Sequence, residues 1–117
     1  MIKKLAGSVC LAVACLIATT CRADDKIELA IEAPYWLLSC EPEFKATPGL
    51  TESVYGFSLG VMSGFAEAGN KEALTKFVEA SAKMADEGAR DRDAGRFTRT
   101  ECATMVADFA SQWNRLP

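Results

Sequence analysis

The sequence predicts an all-α protein, a small four-helix bundle with one disulfide. Three observations predict it. From residue 50 onward, apolar residues recur every three or four positions in three successive runs, the period of helices that bury one face. Glycine, asparagine and a T-x-x-E sequence punctuate those runs where helices stop and start. Outside an N-terminal leader, the only cysteines are Cys40 and Cys102.

The leader comes first. Lys3 and Lys4 precede an uncharged, mostly apolar run from Leu5 to Thr20, and Cys21-Arg22-Ala23 supplies small residues before a cut. Residues 1–23 are therefore expected to be a cleaved signal peptide, and residues 24–117 a single helical domain that starts at Asp24. The apolar run is short for a bilayer span of ~20 residues, so an uncleaved anchor is disfavoured. Ala18-Thr19-Thr20-Cys21 lacks the aliphatic residue that a lipoprotein site needs. Cleavage removes Cys10, Cys15 and Cys21. The remaining pair, in an exported chain, predicts a Cys40–Cys102 disulfide. Closing so long a loop is worth about 4 kcal/mol on chain-entropy grounds.

The elements follow in order. In "DDKIELAIEA" (24–33), Ile27, Leu29 and Ile31 alternate like a strand, while Ile27, Ala30 and Ile31 fit a helical stripe, so both readings stay open. Pro34 is expected to break this segment and to start a short helix ending near Pro42, with Leu37 and Cys40 on one face. "EPEFKATPG" (41–49) reads as a connection. Helix 50–68 aligns Leu50, Val54, Phe57, Val61 and Phe65 and ends at Gly69. Asn70 caps helix 71–87, whose inward face is predicted to hold Leu74, Phe77, Val78, Ser81 and Met84, and Gly88 is expected to stop it. A charged linker, "GARDRDAGRF" (88–97), precedes the Thr98/Glu101 capping box and helix 99–115, which places Cys102 on its buried stripe.

Composition excludes several functions. The whole chain has 16 acidic and 13 basic residues; loss of Lys3, Lys4 and Arg22 with the leader takes the net charge from −3 to −6. A nucleic-acid partner, which demands a basic footprint, is therefore not expected. With no histidine in the chain, histidine-dependent triads, Cys-His pairs and the common zinc sites are absent, and no catalytic residue, metal site or cofactor is predicted. "DRDAG" (91–95) misses a calcium loop, because Gly95 falls one position early and Cys102 stands where a glutamate is needed. Paired carboxylates such as Glu41/Glu43 and Asp86/Glu87 read as solvated faces among so many acids.

Two features point to contacts. Gly56, Gly60 and Gly64 lie four residues apart on one side of helix 50–68, flanked by Ser53 and Ser63. Each interior glycine costs about 1 kcal/mol against alanine, so the stripe is read as close packing inside the bundle. Between Glu52 and Glu67 only 14 residues are uncharged, too few to cross a bilayer. The second feature is the linker, where Arg90, Arg92, Asp93 and Arg96 are the candidate partner-binding residues. Glycines bracket it, and arginine is enriched at interface hot spots.

At "WLLSC" and "YGFSLGVMSGFAEAG" the chain resembles the periplasmic immunity proteins that neutralise amidase toxins of type VI secretion. The matching positions are Leu37, Leu38, Cys40, Tyr55, Gly56, Phe57 and Gly60. That resemblance implies a non-enzymatic periplasmic inhibitor whose partner is a secreted amidase effector or another cell-wall enzyme. In leader, length, helical character and its Trp36-x-x-x-Cys40 spacing, the chain is also similar to the HdeA-type acid-stress chaperones. Protonating every side-chain carboxylate would swing the mature charge from −6 to +10, centred near pH ~4. The oligomeric state, homodimer included, is left open by the sequence.

Overall fold

The computed structural model describes residues 24–117. The predicted leader, with Cys10, Cys15 and Cys21, lies outside the described residues. Within them the chain is all-helical. It forms five helices rather than four: α1 (residues 24–39), α2 (Glu41–Ala46), α3 (Leu50–Glu67), α4 (Lys71–Asp93) and α5 (Arg99–Arg115).

Three boundaries differ from the sequence expectations. Residues 24–33 are helix, and α1 runs through Pro34 without stopping there. An interior proline leaves the carbonyl four residues earlier without its N–H partner and costs roughly 3 kcal/mol. Burial outweighs that here, because Leu29, Ala30 and Ala33 all reach the core from this helix. The expected connection 41–49 contains α2, whose Pro42 sits in the first turn, where a missing N–H is tolerated, and whose Phe44 is 1% exposed. The third difference is Gly88. It does not stop α4, which continues to Asp93 and ends where Gly95 adopts φ 65°.

The predicted caps are present. Asn70 Oδ1 accepts from the Ala73 N–H at 3.1 Å. Thr98 Oγ1 accepts from the Glu101 N–H at 3.1 Å, while Glu101 Oε1 accepts from the Thr98 N–H at 2.8 Å. Gly69, at φ 70°, closes α3 as expected.

One hydrophobic cluster joins all five helices. Its centre is Trp113, 1% exposed, which stacks on Phe109 and meets Phe57 edge-on, and whose indole N–H donates to Ser53 Oγ at 2.9 Å. Lys26 ties the first turn of α1 to the chain's end: its Nζ lies 4.6 Å from the Trp113 ring centre and donates to the Leu116 carbonyl at 3.0 Å. Cys40 and Cys102 are at disulfide distance, with sulfurs 2.06 Å apart and both residues buried. Cys102 is on the buried side of α5, as the periodicity predicted.

The glycine stripe is not where the helices grip one another. Among the described residues, a Cβ at Gly56, Gly60 or Gly64 would meet nothing outside its own turn of helix within 4 Å, because α3 turns Leu50 and Val54 inward and this side outward. Close approach occurs at Gly88 instead. A Cβ there would lie 2.5 Å from the Tyr35 carbonyl oxygen and 3.0 Å from its Cα, so α1 and α4 touch backbone to backbone.

Candidate functional site

Two concavities flank the α1–α4 contact. The first is a polar cleft of about 290 Å³ at the end of α4, edged by Glu41, Glu43, Arg92, Arg96, Phe97 and Arg99, with Cys102 in its lining. The structure thus brings Arg92 and Arg96 to one cleft but leaves Arg90 and Asp93 outside its lining. Because α4 extends to Asp93, three of the four predicted loop residues stand on its last turns; only Arg96 lies in the connection.

Every arginine around the cleft has a carboxylate neighbour. Arg90 pairs with Asp86 one turn earlier. Arg92 Nε lies 3.1 Å from Asp93, Arg96 3.5 Å from Asp91, and Arg99 Nε 3.0 Å from Glu43. The Arg90–Asp86 and Arg92–Asp93 pairs are solvent-exposed on both sides and contribute about 0–1 kcal/mol each, whereas Arg96 and Arg99 reach carboxylates that are largely shielded. Lys45, 2.6 Å from Glu41, holds that carboxyl below its usual range by hydrogen bond and charge.

Asp91 organises the back wall. It accepts from the Tyr35 hydroxyl, and Tyr35, Trp36 and Phe97 form an edge-packed aromatic cluster behind it. Burial, and then the Asp91 carboxylate, push the Tyr35 hydroxyl up to about 12. The Trp36 indole donates to Glu32 at 2.8 Å. The cluster fixes α1 against the end of α4 and the 94–98 connection.

The second concavity is an apolar groove of about 240 Å³ between α1, α3 and α4. Ala33 and Leu37 form one wall, Val54 and Met62 another, and Phe77 and Phe44 lie at depth. Two large side chains stand at its rim, Tyr55 at 66% exposure and Val78 at 45%. The sequence placed Val78 on the inward face of α4. The structure buries Phe77 and turns Val78 outward, because adjacent positions on a helix lie about 100° apart and only one can face the core.

The groove was missed by sequence reasoning. Its walls come from three helices, and the signal that could have found it was the presence of Tyr55 and Val78 on arcs where charged residues are expected. The groove offers shape and apolar area for a protruding side chain. The cleft offers paired charges beside it.

Among the described residues, no group of three or more cysteine, aspartate or glutamate residues is placed to hold a metal ion, and no helix is long and apolar enough to cross a membrane. No family model matches the chain, and no curated protein or solved structure is significantly similar to it.

Proposed function

We propose that this chain is a non-enzymatic, exported binding protein, an inhibitor of the immunity type that occludes a partner toxin or cell-wall enzyme in the periplasm. In this reading residues 1–23 are the signal peptide and the body that begins at Asp24 is the inhibitor. The observation that carries the reading is the apolar groove with Tyr55 and Val78 exposed at its rim. Exposed apolar surface beside polar residues marks protein-docking sites, and tyrosine and arginine are the residues most enriched at their energetic centres. A body tied by buried cysteines and aromatic packing presents such a surface with little ordering cost on binding. The partner class that the sequence resemblance implies is a secreted amidase.

The test is inhibition, not capture alone. The processed chain, immobilised and exposed to periplasmic and secreted extracts, should retain one enzyme and abolish its activity at a one-to-one ratio. Val78→Glu should weaken that complex strongly by placing a charge at the groove's rim. Arg92→Ala with Arg96→Ala should weaken it less, with the thermal midpoint nearly unchanged. Retention of many unrelated proteins, or of an enzyme that stays active, would overturn the reading.

One observation favours a second reading, the acid-stress chaperone. The polar ties between α1, α2, α4 and α5 run through two carboxylates, Asp91 with Tyr35 and Arg96, and Glu43 with Arg99. Breaking these ties would loosen α1 against α4 and α2 against α5. Suppression of client aggregation near pH ~3 but not at pH ~7 would select this reading over the inhibitor.

A further inference from the structure

We propose that the polar cleft is the route by which a small thiol or disulfide exchanges with the Cys40–Cys102 pair, and that Cys102 is the sulfur it meets. The proposal does not rest on the inhibitor reading. The two cysteines differ in their surroundings. Cys102 belongs to the lining of the cleft at the start of α5, whereas Cys40 does not. Cys40 ranks among the largest fully buried side chains, at 1% exposure, while Cys102 keeps 4%. The cleft, at about 290 Å³, is large against the ~30 Å³ share of a water molecule and admits a thiol of a few heavy atoms.

Access, not charge, selects the reagent. The lining sets Arg92, Arg96 and Arg99 against Glu41, Glu43 and Asp91, so the guanidinium groups are matched by carboxylates. Exchange rates depend on which sulfur a thiolate can reach. Here the reachable one faces the cleft and the other is sealed in the core.

The chemistry then has a fixed order. The reagent's thiolate attacks Cys102 Sγ and forms a mixed disulfide with it. The bond to Cys40 breaks, and Cys40 leaves as a thiolate that takes a proton from solvent. A second reagent thiolate releases Cys102, so two reagent thiols are oxidised to a disulfide and the pair is reduced. Oxidation by a small disulfide retraces this path: the Cys102 thiolate captures the reagent, and Cys40 expels it by closing the bond.

Opening the pair changes the cleft itself. Ser39 and Glu43 line it on one side and Arg99 on the other, and the pair is the covalent tie between those sides. Without that tie, α2 is held to α5 by the Glu43–Arg99 ion pair at 3.0 Å and by Phe44 against Phe109, ring centres 5.9 Å apart. The shape of the cleft therefore follows the oxidation state of the pair.

Brief treatment of the purified, oxidised wild-type chain with 2-mercaptoethanol in native buffer tests the route. Acid quenching and peptide mass mapping locate the adduct. The mixed disulfide should favour Cys102 over Cys40 by about tenfold or more, and the preference should vanish in denaturant, where both sulfurs are open. The reduction rate should rise in proportion to thiol concentration. It should also stay flat in urea below the unfolding transition, as attack on the folded chain requires. An adduct on Cys40, or on both sulfurs equally, overturns the proposal. So does a rate that climbs with urea in step with unfolding, a pair that resists the thiol altogether, or a purified chain with both thiols free. No partner is present in this experiment, so each of these outcomes is separate from failure of the inhibitor reading.

Discussion

Gly88 and Gly60 are the same residue in the middle of two long helices, yet their surroundings are opposite. At Gly88 the backbone of α1 presses so close that a methyl group would collide with the Tyr35 carbonyl; at Gly60 a methyl group would point into open space. Both give up the same helix propensity. At Gly88 the return is visible inside the chain, because the contact seats Tyr35 above Asp91 and lets α1 and α4 share one wall of the aromatic cluster. A glycine's spacing in a sequence therefore does not say whether it marks an internal contact.

The sharpest way to test that contrast begins with the staple beside it. Cys102→Ser should destabilise the fold by about 2–5 kcal/mol, the usual loss for a native disulfide. Intact mass of the oxidised protein should be two hydrogens below that of its reduced form. Free thiols at both positions would remove the staple from the account.

Gly88→Ala comes next. The added carbon faces backbone, which cannot swing aside, so strain of about 1–3 kcal/mol should outweigh the gain in propensity. An unchanged denaturation midpoint would break the contrast at its buried end.

Gly60→Ala carries the opposite sign. With nothing near the new methyl, the monomer should gain about 1 kcal/mol, measured as a raised midpoint in dilute solution. The packing expected from sequence predicted a loss here. A destabilised dilute variant would restore that expectation and break the contrast at its exposed end.

The smallest effect is alkaline. Tyr35 holds its proton up to about 12, above its ordinary value of 10.0, through burial and Asp91. Between those values the unfolded chain sheds the proton first, so this tie is intact below pH ~10 and is lost as pH rises through the folded value. Tyrosinate absorbance should show a late-titrating group that Asp91→Asn moves down. If the late group is insensitive to Asp91, the hydroxyl contact is not what the α1–α4 grip holds in place.

The functional surfaces were less legible than the helices. Arginines between glycines make the 88–97 stretch conspicuous in sequence, and the structure places Arg92 and Arg96 in the lining of the cleft but not Arg90 and Asp93. Arg99 and Glu43, which share that cleft, come from separate elements, and only folding brings their side chains to 3.0 Å.

The sequence by itself determined what acts over a few residues or follows from counting. Helical periods placed α3 and α5 almost to the residue, the Asn70 and Thr98/Glu101 caps needed only neighbours three positions away, and the two cysteines among the described residues allow one pairing with each other. Tertiary structure decided what depends on neighbours distant in sequence. Pro34 and Gly88 are local helix breakers, and both stay inside helices because the core that buries Leu29, Ala33 and Phe77 outweighs a penalty of a few kcal/mol. Whether a glycine stripe is gripped or bare is likewise set by where other helices lie. No local pattern encodes that.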